Sequence, residues 1–290
     1  MSMVRGRLSY VPAVLLAASA AALVPSPASG APGNDYVAMG DSYVAGGIPP
    51  WDPSAPVVCA QSSVDYPHLV ASELGLSLTD RSCGGARTEN ISGAAQYPTQ
   101  PPQISGLTDA TRVVTISIGG NDNNTFADVI AACTAADAVD PVVSAPCKAL
   151  YGSKFVDSIR ADGPAIGAAI ARIHQKAPAA SVFVVGYPDV LPQHGGCYPQ
   201  IPLTPGDVAY TNGIEMELDN VLREQAQQHD AVFVDTFTPS IGHDACQPEN
   251  TRWVEPWLPG SAAAPVHPNA AGMRGDAAAV EAAIGDSLTR

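Results

Sequence analysis

Short apolar runs alternate along this chain with longer segments in which apolar residues recur at helical spacing. Four of the five runs are nearly continuous in apolar residues, which is expected where helices cover both faces of a sheet. The pattern predicts βαβ units and therefore a parallel sheet with right-handed crossovers. The predicted strands are residues 36–39, 76–80, 113–118, 181–186 and 231–235, and the predicted helices are 67–74, 124–135, 155–176, 205–229 and 269–288.

Two proline-rich stretches, 187–204 and 238–268, interrupt this alternation. We expect both to be long loops without regular structure. Loops of that length in a compact domain are usually functional or held in place. Each contains one cysteine, Cys197 and Cys246, so a disulfide between them would tie the two loops together.

The net charge excludes one class of partner. The chain has 28 acidic and 14 basic residues, which gives a formal charge of −14. A polyanion is repelled by such a protein, so we expect no binding to nucleic acid.

The first thirty residues have the pattern of an export signal. Arg5 and Arg7 precede an apolar stretch at 11–24, and small residues follow at 28–30. The alternative is an uncleaved membrane anchor, but the apolar stretch is shorter than the ~20 residues that span a bilayer. We therefore expect a signal peptide at 1–30, a single mature domain at 31–290, secretion, and no stable insertion into a membrane.

The chain contains six cysteines, all beyond the predicted signal peptide. An even number of cysteines in an exported protein favours disulfides. No two of them have the short spacing of a zinc site, so we expect no metal. Six cysteines allow 15 pairings, and pairing in sequence order gives the shortest loops. That choice predicts Cys59–Cys83, Cys133–Cys147 and Cys197–Cys246.

The segment Gly40-Asp41-Ser42-Tyr43 directly follows the first predicted strand. A serine at the carboxyl end of a parallel strand presents its hydroxyl at the edge where open α/β sheets bind ligands. Amides at the start of the next helix then face an oxyanion formed there. A simple cap on a strand-to-helix turn explains the same residues, so this segment alone leaves both interpretations open.

Two more segments follow predicted strands, Gly119-Gly120-Asn121-Asp122 and Cys83-Gly84-Gly85-Ala86. The Asn121 side-chain amide can donate to a tetrahedral oxyanion, and a glycine N–H in the second segment can supply another donor. An ordinary turn is the alternative for the first segment. Three strand ends thus offer one candidate nucleophile and two candidate donors.

The general base requires a histidine that can reach the serine. His267 lies in a loop directly before the last predicted helix, and we favour it for that reason. His243, in the same proline-rich loop, is the second candidate. The remaining histidines are expected to be exposed on helices or, for His194, to lie in the other long loop.

Taken in order, the segments around Ser42, Gly85, Asn121 and His267 resemble the four motif blocks of the SGNH (GDSL-type) hydrolase family. Asp65-Tyr66-Pro67 and Arg252-Trp253-Val254 also look like secreted actinobacterial members. The resemblance implies a flavodoxin-like three-layer α/β/α sandwich with a five-stranded parallel sheet. It further implies that Ser42 is the nucleophile, that the Ser42 amide, the Gly85 amide and the Asn121 side chain form the oxyanion hole, and that Asp122 is structural.

One position departs from the family pattern. Members of the family usually have an aspartate three residues before the catalytic histidine, where this chain has Ala264. We expect the backbone carbonyl of Ala264 to orient His267, because Pro265 biases the residue before it towards an extended backbone. Asp244 or Glu255 from elsewhere in the loop is the alternative.

The expected activity is hydrolysis of a carboxylic ester through an acyl-enzyme, without a cofactor. The substrate is expected to be a small-molecule or lipid ester, and the enzyme a monomer. Three alternatives remain open from the residues: an acyltransferase, a carbohydrate deacetylase, and a secreted binding protein without catalysis.

Overall fold

The computed structural model describes residues 36–140 and 144–288, so the predicted signal peptide lies outside the described residues. Every strand pairing in the sheet is parallel, and the strand order is β2-β1-β3-β4-β5. This topology confirms the α/β fold with a five-stranded parallel sheet. The strands are β1 (Tyr36–Gly40), β2 (Leu78–Asp80), β3 (Val113–Ser117), β4 (Ser181–Val185) and β5 (Val232–Val234).

The described helices occupy the connections between strands and the segment after β5. They are α1 (Ser42–Ala45), α2 (Tyr66–Leu74), α3 (Thr88–Ser92), α4 (Thr125–Val139), α5 (Pro146–Tyr151), α6 (Lys154–Lys176), α7 (Pro205–Gln228), α8 (Phe237–Ser240) and α9 (Ala270–Leu288).

Apolar side chains of the sheet are buried on both faces. Alternate β1 residues belong to two separate clusters: Val37 and Met39 pack with residues of α4, α6 and α7, whereas Tyr36 and Ala38 pack with residues of α2 and α9. Burial on both faces explains why the strands lack the polar alternation of a half-exposed sheet. The arrangement is a three-layer α/β/α sandwich.

The predicted boundaries differ from the structure at several places. Strand β2 begins at Leu78 rather than at 76, and helix α4 continues to Val139 rather than ending at 135. Three short helices, α3, α5 and α8, were not predicted, whereas α1 is the helix start expected after the first strand. Helix α8 overlaps the start of the stretch 238–268, which we had expected to lack regular structure.

Helix α5 shows why such short helices escape prediction from local sequence. The Asp207 carboxylate, from the first turn of α7, accepts hydrogen bonds from the amides of Cys147 at 2.7 Å and Lys148 at 2.9 Å. Asp207 therefore satisfies the free amides at the start of α5 from a position 59 to 60 residues away in the sequence. A cap supplied over that separation leaves no local signal.

Three disulfides connect the pairs predicted from the sequence: Cys59–Cys83, Cys133–Cys147 and Cys197–Cys246. The third joins the two proline-rich loops, and two backbone hydrogen bonds reinforce it, from Ala245 to Val190 at 3.0 Å and from Trp257 to Gln200 at 3.2 Å. Within the described ranges no helix is both long and apolar enough to cross a membrane.

Candidate active site

Ser42 is the first residue of α1 and lies two residues after Gly40, the last residue of β1. Gly40 has φ +148°, and a Cβ there would lie 2.3 Å from the Ser117 carbonyl oxygen at the end of β3. Only glycine fits so close an approach. The Asp41 carboxylate caps α1 by accepting a hydrogen bond from the Tyr43 amide at 2.9 Å. This bond fixes the turn that carries Ser42.

The buried Gln103 holds this turn from the side. Its amide group donates to the Gly40 carbonyl at 2.9 Å and accepts from the Gly40 N–H at 2.7 Å. Both backbone groups of the turn glycine are thereby satisfied by one side chain. The backbone that presents Ser42 is therefore rigid.

His267 lies against this serine. Its Nε2 is 2.8 Å from Ser42 Oγ, and its Nδ1 is 2.7 Å from the carbonyl oxygen of Pro265. A carbonyl can only accept, so Nδ1 carries the proton and Nε2 has a free lone pair for the serine hydroxyl. The ring is thus in the tautomer that a general base needs.

The acceptor for His267 differs from the expected one. The carbonyl of Pro265, and not that of Ala264, bonds to the imidazole. The reason is the backbone at Val266, which has φ +58° and so turns the chain between Pro265 and His267. The two carboxylates considered as alternatives bond elsewhere: Asp244 to Cys246 and Gln247, and Glu255 to Arg252, Gly260 and Asn269.

Three hydrogen bonds hold the segment that carries His267. The Val266 amide donates to the Glu255 carbonyl and the Glu255 amide to the His267 carbonyl, each at 3.0 Å. The Tyr43 hydroxyl donates to the Val266 carbonyl at 2.7 Å. Left-handed backbone at a β-branched residue costs about 1–3 kcal/mol, and these bonds offset that cost. The segment that carries His267 is therefore anchored directly to Tyr43, the residue after Ser42.

Asn121 connects the other strand ends to the turn that carries Ser42. Its side-chain nitrogen is 3.1 Å from the Ala86 carbonyl, next to Gly85, and 3.4 Å from Asp41 Oδ2, next to Ser42. Within the described residues, no hydrogen bond engages the amides of Ser42 and Gly85. The structure thus brings the predicted donors to one edge of the sheet, beside Ser42.

Asp122 has the structural position implied by the family resemblance. Its carboxylate accepts from the Thr88 amide at 2.8 Å and also from the Thr88 hydroxyl. Burial raises the pKa of Asp122, and the bonds from Thr88 oppose that rise. Because Thr88 is the first residue of α3, Asp122 fixes the segment containing Gly85 relative to the segment containing Asn121.

Tyr187 was not identified from the sequence. It follows β4 and is fully buried, and its hydroxyl donates to Asp41 Oδ2 at 2.6 Å and accepts from the Gly120 amide at 3.3 Å. Its ring meets the Tyr43 ring edge to face, with 5.0 Å between centroids. A residue directly after a central strand could have been found by the strand-end argument that found Ser42 and Asn121.

Burial sets the protonation of the two groups that flank Ser42. It raises the pKa of Asp41 to about 6, against the opposing hydrogen bond from Tyr187. It lowers the pKa of His267 below its usual 6.5, and the bond to Pro265 only partly opposes this. No carboxylate bonds to the ring within the described residues, so His267 is neutral at neutral pH and ready to accept a proton.

His243, the second candidate for the base, is engaged elsewhere. Its Nδ1 lies 2.6 Å from the Thr251 carbonyl oxygen, and its ring stacks on Trp253 with 4.3 Å between centroids. These contacts give His243 a role in packing the proline-rich loop.

Comparison with known proteins agrees with this geometry. Residues 38–274 match the model of the GDSL-like Lipase/Acylhydrolase family. The chain belongs to this family. It is 43% identical to Lipase 2 of Streptomyces coelicolor over 253 residues, which is 86% of this chain and 85% of that protein.

Two solved structures are also similar. The extracellular lipase of Streptomyces rimosus superimposes with a TM-score of 0.70 at 28% identity, and phospholipase A1 of Streptomyces albidoflavus with 0.68 at 27%. Each comparison covers 86% of this chain and 99% of the other. The chain is therefore a carboxylic ester hydrolase of the GDSL-like lipase/acylhydrolase family, as its sequence predicted.

An apolar pocket begins beside the serine and histidine of this family member. Tyr43 and Val266, the neighbours of Ser42 and His267, both line it. Helix α4 contributes Phe126, Val129 and Ile130, and the two proline-rich loops contribute Leu191, Ile201 and Trp257. The two proline-rich loops thus form much of the pocket wall. Such long loops were expected from the sequence to be functional or held in place.

Proposed function

We propose that this enzyme hydrolyses esters of lipids outside the cell, with Ser42 as the nucleophile and His267 as the general base. The observation that carries the proposal is the 2.8 Å contact between Ser42 Oγ and His267 Nε2, with Nδ1 bonded to the Pro265 carbonyl. The apolar pocket that starts at the adjacent Tyr43 and Val266 supports an apolar acyl group.

In the first step, the oxygen of Ser42 attacks the ester carbonyl as its proton passes to His267 Nε2. The negative charge moves to the carbonyl oxygen of the tetrahedral intermediate. We propose that the amides of Ser42 and Gly85 and the side chain of Asn121 stabilise that oxygen. The bond to the alcohol then breaks, and the proton on His267 goes to the leaving oxygen.

In the second step, water attacks the acyl-enzyme. His267 takes a proton from the water as its oxygen bonds to the acyl carbon. When the second tetrahedral intermediate collapses, the bond to Ser42 Oγ breaks, the proton on His267 returns to that oxygen, and the carboxylic acid is released. The Pro265 carbonyl holds the imidazole in the same orientation throughout, so one ring can serve as base and as acid in both steps.

Lipid substrates are supported by the pocket and by the relatives. The wall next to Ser42 is apolar, and the similar Streptomyces proteins are named lipases and a phospholipase A1. Export is supported by three disulfides, by the predicted signal peptide at 1–30, and by the name of the S. rimosus relative, an extracellular lipase.

The test is a substrate panel with matched variants. Wild type should hydrolyse p-nitrophenyl esters, with an optimum above the acetyl ester, and should be more active on phosphatidylcholine or long-chain esters than on acetylated xylan. Ser42→Ala and His267→Ala should each lose nearly all turnover with unchanged Tm, since members of a catalytic unit fail together. Ser54→Ala, an exposed serine bonded to Asp52, is the control.

Two results would contradict the proposal. If Ser42→Ala kept more than a few per cent of turnover, the nucleophile would be a different residue. If acetylated xylan were the best substrate, the enzyme would be a carbohydrate deacetylase. Labelling of wild type by a p-nitrophenyl phosphonate, and its absence in Ser42→Ala, separates an enzyme from a binding protein.

A further inference from the structure

Two polar side chains interrupt the apolar wall of the pocket. Thr211 and Glu215 are one turn apart on α7, and both line the pocket beside Ile214. Glu215 is only 5% exposed. Neither Thr211 Oγ1 nor Glu215 Oε1 has a hydrogen-bond partner among the described residues, although both atoms are buried.

The other oxygen of Glu215 is also weakly bonded. Oε2 accepts one hydrogen bond, from the Val190 amide at 3.4 Å, which is near the limit for such a bond. The charged groups that act on Glu215 are two further acids, Asp219 and Asp189. Burial and these neighbours raise its pKa well above 4.5, which favours the neutral carboxylic acid, a group that can donate as well as accept.

Thr211 lacks the usual way of satisfying a threonine hydroxyl in a helix. Such a hydroxyl commonly bonds the carbonyl one turn earlier, and the Thr211 hydroxyl makes no such bond within the described residues. Leaving a buried polar atom unpaired is unfavourable unless another group pairs with it. Two side chains with such an atom, one turn apart on α7 and both among the residues that line one pocket, point to a polar group on the molecule that fills it.

We propose that the pocket binds an acyl chain that carries a hydroxyl group, which hydrogen bonds with Glu215 and Thr211. The inference rests on the proposed function, because the pocket begins beside Ser42. A hydroxyl both donates and accepts, and so matches a neutral carboxylic acid beside a threonine. A plain hydrocarbon chain of the same length leaves both side chains unpaired.

We expect the pocket to favour a hydroxylated acyl chain over a plain one, because the plain chain leaves Glu215 Oε1 and Thr211 Oγ1 without hydrogen-bond partners. A site with buried hydrogen-bonding groups rejects an analogue that lacks the matching group much more strongly than an apolar site rejects an added hydroxyl. One neutral hydrogen bond corresponds to about a tenfold change in kcat/KM. We expect at least that ratio for the best positional isomer.

The experiment compares p-nitrophenyl octanoate with its monohydroxy isomers, with the hydroxyl moved along carbons 3 to 8. Wild type should prefer one isomer over plain octanoate by about tenfold or more in kcat/KM. Thr211→Val and Glu215→Met should each reduce that ratio towards 1. Met216→Leu, at an exposed position of the same helix, should leave the ratio unchanged.

The inference is wrong if no isomer exceeds plain octanoate, or if the preference survives both pocket variants. Since wild type alone gives the ratio, a variant that fails to fold does not block the test. If wild type hydrolysed none of the esters, the proposed function would fail separately. Calorimetric binding of hydroxyoctanoic and octanoic acids to Ser42→Ala would then decide the pocket's preference: tighter binding of a hydroxy acid supports the inference, and equal affinity overturns it.

Discussion

Glu255→Gln separates two roles that a carboxylate near a catalytic histidine can have. Glu255 is 1% exposed, and its oxygens accept hydrogen bonds from Arg252 and the Gly260 amide at 2.8 Å and from Asn269 at 3.0 Å. Burial opposes its ionisation, but these bonds outweigh burial and lower its pKa from 4.5 to about 2. The carboxylate therefore stabilises the loop that carries His267 and does not touch the ring.

The size of the effect follows from that pKa. A pKa of about 2 in the folded protein, against 4.5 in the unfolded chain, corresponds to about 3 kcal/mol of stability from the ionised form. That contribution is fully present above pH 4.5 and is lost as pH falls towards 2. At pH 7, Glu255→Gln should thus lower the free energy of unfolding by about 2–3 kcal/mol, or Tm by about 4–12 °C in a domain of this size. The two unfolding profiles should converge near pH 2.

Turnover, unlike stability, should change little in Glu255→Gln. Because His267 is oriented by the Pro265 carbonyl, folded Glu255→Gln should keep kcat within a few fold on p-nitrophenyl butyrate, measured well below its Tm. Asp244→Asn is the matched control and should also keep kcat. Replacing a true triad aspartate by asparagine costs about 10⁴ in kcat in the serine protease example. A loss of several orders of magnitude with an unchanged Tm, in either variant, would refute orientation by the carbonyl.

Three further results are expected. The acid limb of kcat/KM should have an apparent pKa below 6.5, because burial lowers the pKa of His267 and the protonated ring cannot act as base; a limb above 6.5 would indicate a carboxylate partner. Asn121→Ala should lower kcat by about 10² to 10³, the usual loss for one oxyanion donor, whereas a change confined to KM would make Asn121 a ground-state contact. Burial raises the pKa of Asp276 from 3.8 to about 8, so the folded protein favours the protonated carboxyl. Between pH 5 and pH 7, the free energy of unfolding of wild type in urea should therefore fall by about 3 kcal/mol relative to that of Asp276→Asn. Parallel pH profiles of the two proteins would contradict this.

Much of the fold was predictable because burial of the sheet on both faces leaves a strong sequence signal. Strands β1, β3 and β4 appear as apolar runs, and the ends of the first two carry Ser42 and Asn121. The positions of Ser42 and Asn121 follow from one physical rule, that parallel strands place their carboxyl ends at one edge. His267 could be proposed from its loop, but its distance from Ser42 could not.

The details that were missed depend on contacts distant in sequence. Nothing local indicates that Val266 takes a left-handed backbone, since a β-branched residue disfavours it. It is held there by Glu255 and Tyr43, and for that reason the carbonyl of Pro265 replaces that of Ala264. Short-range preferences for an extended residue before proline cannot resolve which of two successive carbonyls faces a ring.

The backbone of this loop supplies one of the two functions of a triad acid. An aspartate beside a catalytic histidine fixes its tautomer and also stabilises the positive charge that forms on it. The Pro265 carbonyl fixes the tautomer, but it offers only a dipole to the charged ring. The charge is therefore less stabilised than beside a carboxylate, and a ring in this environment gains a proton less readily. The same feature keeps His267 neutral at lower pH, so we expect the absence of an aspartate at position 264 to extend the pH range over which the proposed base can act, at some cost in its strength.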